Sequence, residues 1–466
     1  MFIILRLILC VVFFISSLNY SRAEENKIVN IKETQLNTTN NDSSQDFSKD
    51  KQGKKINLQE ILEFTFNNND TLQAEREKTK AVEALKFKTI GANALPNVGV
   101  DLNYGYTDFK QDFSTLKIEN DGKLVDNKIY LQQPLFKSGR TITQVKSVNS
   151  QIAMQHNKLD DTEQTILFNA IQATTNLLKS KKIYEITQQN EESLKNNYEY
   201  VLAKNNVGRA VASDVSLAMA RYSSAKSDTI IANKNYMQAK INFSTITKIN
   251  ADEIEVDYED IFNKTFNYEI SMDKILESSL QKNPSYQIAK NNYEMNKSNL
   301  NYARTNFLPE IYLNAQISDA NTADIINQKN SSVSVNFKIP LFQSGTEYAS
   351  QREAGHLLNE SKFNLNDTKE ALLKQTTNTF SDFMSSKSLV SSSKANLDAT
   401  KISLDSITMQ EKVGKSTIID ILDRRKEYYD AEIKFINFKN DVITYYYQLK
   451  FLMGELNLTY LFNKDN

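Results

Sequence analysis

The sequence has few of the residues that perform chemistry in enzymes. Its 466 residues include one cysteine, two histidines and no tryptophan. The histidines, His156 and His356, lie in helical patterns without a CxxC or HExxH motif beside them, and we interpret both as surface residues of helices. The chain also has no glycine-rich phosphate loop and no GxSxG motif. The sequence therefore predicts a protein that is not an enzyme and that binds no cofactor and no metal ion.

Proline and glycine are also scarce, at 5 and 11 residues, and this scarcity permits very long helices. Proline interrupts a helix because it lacks the backbone N–H and its ring clashes with the preceding turn. All five prolines lie near segments predicted as strands or their flanks: Pro96, Pro134, Pro284, Pro309 and Pro340. No proline occurs between Thr141 and Asn283, so this stretch can form continuous helices.

Charge and hydropathy exclude two further classes of protein. The 56 basic residues nearly balance the 57 acidic ones, so there is no electrostatic reason to expect a nucleic-acid partner. The mean hydropathy is −0.51. No internal apolar run reaches the roughly 18 residues that a membrane-spanning helix needs. The chain is therefore not predicted to be a polytopic helical membrane protein.

One apolar run, residues 2–18, stands at the start of the chain. It is followed by the letters SRA, a pattern typical of a secretory signal peptide, so residues 1–23 are predicted to be removed by cleavage after Ala23. An uncleaved anchor is the alternative, because Arg6 and the amino terminus supply only a weak positive region. Cys10 lies inside this segment, so the mature chain would have no thiol, which is compatible with an oxidising compartment.

The rest of the chain contains two copies of one unit. The segment KIYLQQPLFKSGRTITQ around Pro134 corresponds to SVNFKIPLFQSGTEYAS around Pro340, at an offset of 206 residues. VGRAVASDV and VGKSTIIDI repeat at the same offset, whereas NALPNVGVDLNY and NFLPEIYLNAQI correspond at 213. A loop that differs by seven residues between the copies explains the change. Because this period is too long for a solenoid, we interpret it as a duplicated unit of helix, strand, loop, strand, long helix and return helix.

This pattern sets the predicted domain boundaries. Residues 24–56 are rich in Asn, Ser, Thr, Asp and Lys, and are predicted to form a disordered polar leader. The first structural repeat is predicted to cover residues 57–262 and the second residues 263–458, each with a helix, two strands and a helical hairpin. Residues 459–466 are predicted to be a C-terminal tail.

Apolar residues in the last part of the second repeat follow a heptad spacing. Two interleaved series step by seven residues, and only one of their eleven members is charged: Ile421, Tyr428, Phe435, Val442, Leu449, Leu456 and Arg424, Ala431, Phe438, Tyr445, Leu452. Gly208 and Gly414 follow the predicted long helices as left-handed stops, and Thr417 with Asp420 matches a capping box that opens the next helix. We therefore predict helical hairpins in an extended coiled-coil body, with a globular bundle of amphipathic helices as the alternative.

Four short segments alternate between apolar and polar residues, as strands with two different faces do. They lie at 98–106, 129–135, 311–317 and 333–339. Each is about ten residues long, as in a tilted strand that crosses a bilayer, and loops are expected over about 107–127 and 319–331. A half-buried sheet in a soluble protein is the alternative. Because four strands cannot close a barrel and open edges are not tolerated in lipid, several chains would have to combine, and three would supply twelve strands.

Taken in order, these features resemble the TolC family of outer-membrane efflux proteins. The resemblance covers residues 57–458 and is most specific in the paired PLF-x-SG segments, the two VG turns and the closing LKFLMGEL. It implies an α+β membrane protein in which a homotrimer builds a 12-stranded transmembrane β-barrel, four strands per chain. The barrel would continue into a long α-helical coiled-coil tunnel. The barrel would lie in an outer membrane of the Gram-negative type, in contact with its lipid, and the helical body in the periplasm.

The resemblance also implies a function. The protein would be the channel-tunnel of a tripartite export system, and it would conduct small molecules or secreted proteins passively from an inner-membrane pump of the ABC or RND type. A periplasmic adaptor protein would dock with the pump on the far end of the tunnel. A periplasmic or surface structural coiled-coil protein without a pore is the alternative. It would explain the heptads but not the strands at equivalent places in both repeats.

The resemblance further implies an acidic ring at the periplasmic entrance of the tunnel. The segment VGKSTIIDILD places Asp420 and Asp423 at the two positions concerned. They are three residues apart and share a helix face, so three copies would place six carboxylates around one opening. Such a ring would attract cations and raise the pKa of its own carboxyls by like-charge repulsion. On the residues alone, Asp420 caps its helix and Asp423 is a solvated surface acid.

A gate at the hairpin tips is the second site that the resemblance implies. Its residues are the two VG turns and positions beside them: Val207, Gly208, Ser213, Asp214, Glu411, Val413, Gly414 and Lys415. In the family an aspartate, here Asp214 preceded by Ser213, bonds a tyrosine and an arginine of the other hairpin. This sequence has Glu411 and Ser416 at those positions, and Lys415 is a candidate partner for Asp214. The contacts that close the gate are therefore expected to differ here.

Overall fold

The structure is a computed structural model that describes residues 56–112, 117–322 and 326–458. The predicted signal peptide, the leader up to residue 55 and the C-terminal tail lie outside the described residues. The first half of the fold comprises α1 (Leu58–Asn67), α2 (Asp70–Ala94), β1 (Asn97–Asp112), β2 (Lys117–Phe136), α3 (Arg140–Asn206) and α4 (Ala212–Thr247). The second half comprises α5 (Tyr258–Phe266), α6 (Met272–Lys282), α7 (Pro284–Arg304), β3 (Glu310–Thr322), β4 (Ile326–Lys338), α8 (Thr346–Lys412) and α9 (Ile418–Leu452).

The elements form three tiers in which four elements stand side by side in one order. The sheet has the order β1-β2-β3-β4. In the first helical tier α2 packs on α3, α3 on α7 and α7 on α8, and in the second tier α4 packs on α3, α3 on α9 and α9 on α8. Every tier therefore has two open edges. One edge consists of β1, α2 and α4, and the other consists of β4 and α8.

The helices α3 and α8 belong to both helical tiers because each contains 67 residues. At 1.5 Å per residue each is on the order of 100 Å long, as the absence of proline predicts. Each begins after a Ser-Gly pair with positive φ, Ser138 and Gly139 in the first copy and Ser344 and Gly345 in the second, so the duplication extends to backbone geometry. The predicted repeat boundary after residue 262 falls inside α5. Within the described ranges no helix is both long and apolar enough to cross a membrane.

The antiparallel sheet has one apolar and one polar face. Two adjacent cross-strand rows of the apolar face are Val98, Leu131, Ala315, Val333 and Val100, Ile129, Ile317, Ser331. Two rows of the opposite face are Asn97, Gln132, Asn314, Ser334 and Gly99, Tyr130, Gln316, Ser332. In the single chain the apolar side chains are open to solvent, with Leu102 59% exposed and Val333 58% exposed. The sheet thus presents an uncovered hydrophobic surface, which a membrane or another protein must cover.

The strands are longer than the alternating patterns predicted. They contain 16, 20, 13 and 13 residues. Residues 107–112 pair with 117–122, and the β3–β4 pairing continues to Thr322 and Ile326. The prediction of loops over 107–127 and 319–331 is therefore wrong for most of both stretches. The length difference between the two copies arises largely from the longer β1–β2 hairpin.

Short helices pack against the middle of the long ones and bury most of the core. The largest cluster joins α5 and α6 to α8 and α9, with Ile275, Phe383 and Ile443 at most 1% exposed. Each such side chain contributes about 1.5–3 kcal/mol through removal of apolar surface from water. Ile56, the last residue of the predicted leader, is 6% exposed and forms a parallel bridge with Ile254, so this residue belongs to the folded body.

Candidate gate at the hairpin tips

The helices α3 and α4 form the first helical hairpin, and α8 and α9 form the second. The tips of the two hairpins have the same turn geometry. Each long helix ends before a left-handed glycine, Gly208 with φ 76° and Gly414 with φ 73°. The amide that follows each glycine donates to the carbonyl five residues earlier, at 2.8 Å in the first tip and 2.9 Å in the second. This bond satisfies a carbonyl that the helix end leaves unpaired, and the positive φ explains the glycine. Val207 and Val413, which precede the glycines, are each 68% exposed, so both tips present an apolar side chain to solvent.

The return helices of the two hairpins, α4 and α9, begin differently. Thr417 and Asp420 form the predicted capping box of α9: the Thr417 hydroxyl accepts from the Asp420 amide at 3.3 Å, and Asp420 Oδ2 accepts from the Thr417 amide at 2.8 Å. The Ser416 hydroxyl donates to the same Oδ2 at 3.1 Å. At α4 the equivalent position of Thr417 is Val211, which makes no side-chain cap although Asp214 stands where Asp420 does. The capping box is therefore confirmed, and it exists in one copy only.

The cap also shifts the pKa of Asp420. Hydrogen bonds from the Thr417 hydroxyl, the Thr417 amide and the Ser416 hydroxyl lower the pKa of Asp420 below its usual 3.8. This direction is opposite to the increase expected from a ring of carboxylates, because within one chain the nearest groups are donors. The ring requires three chains and stays a prediction. Asp420 is thus occupied as a helix cap whether or not it also faces an opening.

We expect the Thr417→Val variant to loosen the start of α9, most clearly in acid. Because the pKa of Asp420 is lowered in the fold, its capping contribution is present at neutral pH and is lost as the pH falls through that lowered pKa. Without the Thr417 hydroxyl the pKa of Asp420 moves back toward its usual value, so this loss occurs at a higher pH. Amide hydrogen exchange of residues 418–421 should become roughly five- to tenfold faster. Residues 212–215 of α4, which have no side-chain cap, are the internal control and should be unchanged.

One ion pair joins the ends of the two long helices. Lys204 Nζ in the last turn of α3 lies 2.7 Å from Glu411 Oε1 in the last turn of α8. The Tyr200 hydroxyl donates to the same oxygen at 3.3 Å, and the Lys204 ammonium lies 4.4 Å from the centre of the Tyr200 ring. The side chain of Glu411 is only 9% exposed. The hydrogen bonds to Glu411 and Tyr200 raise the pKa of Lys204, so the ammonium stays charged at neutral pH.

A second ion pair joins the two return helices. Arg221 of α4 donates from a terminal guanidinium nitrogen to Asp423 Oδ1 of α9 at 3.1 Å. The pair is more open to solvent than the first, with Arg221 36% and Asp423 54% exposed. Asp423, which the sequence predicts to belong to an acidic ring, is therefore neutralised by a cation of its own chain.

An apolar contact joins the same two hairpins. Leu422 of α9 is 2% exposed and packs in a cluster with Leu194, Val201, Ala218 and Ala225 of α3 and α4. The alanines leave room between α3 and α4 for a side chain from the other hairpin. Near the tips, the contacts that hold the second hairpin against the first include one buried leucine and two ion pairs.

The predicted gate residues lie at the tips, but the predicted pairing among them is not formed in the single chain. Ser213 and Asp214 occupy the first turn of α4, and Lys415 lies in the turn before α9. Within the described part of the chain no hydrogen bond or ion pair connects Asp214 with Lys415. Instead Glu411 binds Lys204, which the sequence analysis did not select. The only signal for Lys204 is its place one turn before the first VG pair, and this position carries no motif.

Three tiers of four elements side by side, a sheet with two different faces and hairpin tips of matching geometry make up a wall-like body with two open edges. The model of the outer membrane efflux protein family matches residues 58–247 and 275–455, so it matches each repeat separately. The chain belongs to this family, as the resemblance predicted. It is accordingly an outer-membrane channel protein with a helical body in the periplasm, and the alternative of a pore-less structural coiled coil is rejected.

Individual relatives agree with this assignment. The outer membrane protein TolC of Escherichia coli (strain K12) is 20% identical over 388 residues, which cover 78% of this chain and 75% of that protein. The alkaline protease secretion protein AprF of Pseudomonas aeruginosa is 21% identical over 358 residues, covering 75% of this chain and 72% of AprF. The crystal structure of the outer membrane protein VceC from Vibrio cholerae superposes with a TM-score of 0.75 at 13% identity, over 85% of this chain and 96% of that one. This likeness shows the fold.

Proposed function

We propose that three copies of this chain close into the export channel of a tripartite system, and that the channel conducts passively what an inner-membrane pump delivers. The observation that carries the proposal is the element order shared by the three tiers, which leaves the same two edges open from the sheet to the hairpin tips. A wall segment with two different open edges closes on copies of itself head to tail. Three copies of a four-stranded sheet give a barrel of twelve strands.

The open edges carry the apolar side chains that such closure would bury. On α4 and α8 these side chains are between 48% and 69% exposed in the single chain: Ile230, Met237, Ile241, Phe363, Ile402 and Met409. Among the described residues β1 and β4 are the outer strands of the sheet, and a sheet edge without a partner strand is very unfavourable in lipid. Pairing β1 of one copy with β4 of the next removes both edges at once.

The two faces of the sheet assign the inside and the outside of the barrel. The apolar face would contact lipid and the polar face would line a water-filled pore, as in transmembrane barrels generally. One cross-strand row of the apolar face contains Val98, Leu131 and Ala315, and the neighbouring row of the polar face contains Asn97, Gln132 and Asn314. A soluble protein would need a second layer over the apolar face.

The hairpin tips are the surface proposed for the periplasmic adaptor. Val207 and Val413 are equally exposed at equivalent turns, so a trimer would present six apolar tips of one geometry at the end of its tunnel. A protein with repeated hairpins of its own could contact them. We propose a pump of the ABC or RND type behind this adaptor. AprF is named for protease secretion and the matching family for efflux, so secreted proteins and small molecules both stand as candidate cargo.

Single-channel conductance in a planar bilayer tests the proposal. Purified wild-type trimer should give cation-selective steps, and the Asp420→Ala/Asp423→Ala variant should lose this selectivity because its entrance lacks the proposed acidic ring. A Glu185→Ala/Glu192→Ala variant removes two acids from α3 about 15 or more residues, or roughly 20 Å, before the tip and should keep the selectivity.

Three other results would contradict the acidic ring, the channel or passive conduction, respectively. A conducting trimer whose selectivity survives the loss of both aspartates retains the channel and rejects the ring. Absence of conductance from a monomer that needs no detergent rejects the channel. ATP hydrolysis by the purified chain would contradict passive, non-enzymatic conduction.

A further inference from the structure

The barrel would contain two kinds of seam between repeats. The within-chain seam joins β2 to β3, and the between-chain seam would join β4 of one copy to β1 of the next. We propose that Lys338 on β4 and Asp101 on β1 of the next copy form an ion pair across the between-chain seam, and that this pair selects the edges that join. The inference rests on the proposed channel function and deepens it, because it names residues by which one copy recognises the next.

The duplication supplies the position of the pair. Within the chain Gln132 of β2 faces Asn314 of β3 on the polar face of the sheet. Residues of β4 follow their counterparts in β2 by 206, and residues of β3 follow their counterparts in β1 by 213. The same contact between copies therefore joins Lys338 of one copy to Asp101 of the next. An uncharged pair in the within-chain seam corresponds to a pair of opposite charges in the between-chain seam.

The pair does not require an exact repetition of the within-chain register. A slip by one residue would bring the polar face of β4 beside the apolar face of β1, and it is excluded because both faces must match. A slip by two residues makes Lys338 and Asp101 diagonal neighbours. Diagonal neighbours lie about 7–8 Å apart, which is within reach of a long side chain such as lysine.

Asp101 has no ion pair in its own chain among the described residues, and its side chain is exposed. Its cross-strand neighbour on β2 is Lys128. The ammonium of Lys128 lies 5.4 Å from the centre of the Tyr130 ring, which turns it toward its own strand. The carboxylate of Asp101 is therefore available to a cation that approaches from the open side of β1.

Lys338 is in the same situation at the opposite edge of the sheet. It is exposed, it has no ion pair within the part of the chain that the structure describes, and it faces Glu310 of β3. Glu310 already forms an ion pair with Arg140, and the Tyr312 hydroxyl donates to its Oε2 at 2.5 Å. The ammonium is thus left for an acid beyond β4. A cation on one edge and an acid on the other favour a head-to-tail contact and oppose contacts between two identical edges.

A buried acid lies on the same open edge in the first helical tier. Glu347 at the start of α8 is buried, and its Oε2 has no hydrogen-bond partner among the described residues. Within the chain the start of α3 packs on the end of α7, where Arg140 lies 5.7 Å from the centre of the Tyr302 ring. The start of α8 would correspondingly pack on the end of α2 of the next copy, which carries the exposed Lys86 and Lys88. A buried carboxylate needs a cation, so opposite charges would meet in this tier also.

Coexpression of two charge-reversed chains tests the pair. Asp101→Lys gives a chain with lysine on both edges, and Lys338→Asp gives a chain with aspartate on both. A trimer of either chain alone has like charges at every between-chain seam, whereas a mixed trimer has them at only one. With equal expression and different affinity tags, mixed trimers should exceed homotrimers at least about tenfold, against about threefold for random association. Neighbours within each chain are the same in every trimer, so they do not decide this ratio.

The within-chain seam provides a matched control. Gln132→Lys/Asn314→Lys and Gln132→Asp/Asn314→Asp place like charges at the corresponding positions of β2 and β3, where both partners belong to one chain. Exchange of chains cannot relieve this repulsion. The two control chains should therefore associate at random.

Disulfide formation measures the proximity of the two residues directly. In Asp101→Cys/Lys338→Cys the two thiols would be the only ones of the mature chain, since Cys10 lies in the predicted signal peptide. Oxidation should link the subunits into a covalent trimer on a denaturing gel, because facing residues of adjacent strands lie within disulfide distance. Asp101→Cys alone should stay monomeric on the same gel.

The outcomes separate failure of the pair from failure of the proposed function. Random association of the charge-reversed chains, or absence of disulfides between the subunits of an assembled trimer, overturns the pair while the channel stands. If neither charge-reversed chain accumulates alone, recovery on coexpression supports the pair and lack of recovery contradicts it. A wild-type chain that forms no trimer shows instead that the proposed function fails.

Discussion

The Ile317→Lys variant should fail to accumulate as a folded trimer in the outer membrane. Ile317 lies near the middle of β3 on the apolar face, where its cross-strand neighbours are Ile129 and Ser331. A lysine on the lipid side of a barrel costs about 2–4 kcal/mol near the midplane, and three copies repeat that cost in one barrel. A total of roughly 6–12 kcal/mol is comparable with the whole stability of a typical domain. Membrane fractionation and heat-modifiable migration on gels measure the loss directly.

A neighbouring substitution provides the control. Gln316 lies in the same strand, immediately before Ile317, but its side chain belongs to the opposite face, beside Tyr130 and Ser332. The Gln316→Lys variant adds the same charge one residue away and should assemble as wild type, because a lysine that points into water costs little. Equal accumulation of both variants, or loss of both, would contradict the assignment of faces. Reversed behaviour would place the lipid on the polar side.

The helical half of the fold could be predicted closely because its ends are marked by particular residues. The long helices were predicted to stop at Gly208 and Gly414, and each ends two residues before its glycine. Glycine is required there by a positive φ, and such a requirement is local, so it is visible in the sequence. The capping pair Thr417 and Asp420 was predictable for the same reason, since both partners lie within one turn.

The strands could be predicted only where apolar and polar residues alternate along the sequence. That alternation ends at Tyr106, yet β1 continues to Asp112, because backbone pairing needs no apolar side chain. Beyond Tyr106 the sequence loses its regular alternation, and residues 107–127 were therefore predicted to be a loop. The strand length depends on hydrogen bonds between segments, which periodicity within one segment does not reveal.

The contacts of the candidate gate depend on packing between distant parts of the chain. Lys204 and Glu411 are 207 residues apart, and their meeting follows from how one hairpin lies against the other. The family resemblance drew attention to Asp214, and Lys415 was selected because it lies next to Ser416, at a position where the family has a partner for that aspartate. It contained no indication that Arg221, two helical turns into α4, would reach Asp423. Side-chain partners across a long interface are therefore the part that only the structure supplies.

The Gly454→Ala variant should destabilise the helical body by roughly 2–5 kcal/mol. Gly454 follows α9 with φ 70°, and an added Cβ would lie 2.4 Å from the carbonyl oxygen and 2.6 Å from the carbonyl carbon of Lys282. The left-handed conformation costs an alanine about 1–2 kcal/mol, and moving a packed backbone costs about 1–3 kcal/mol more. The displacement would also disturb the contacts of Glu455 with Lys282 at 2.8 Å and Lys450 at 3.2 Å. Loss of helical circular dichroism on heating in detergent measures the effect.

A glycine-to-alanine substitution in the middle of a helix should instead stabilise the protein. Gly355 lies inside α8, and an added Cβ there meets no atom within 4 Å. Alanine restricts the unfolded chain and favours the helix, so Gly355→Ala should stabilise by about 0.5–1 kcal/mol. The two variants add one identical methyl group, and only the backbone conformation and the Lys282 carbonyl differ. A melting temperature of Gly454→Ala at or above that of the wild type would contradict the close approach of Gly454 at the end of α9 to Lys282 at the end of α6.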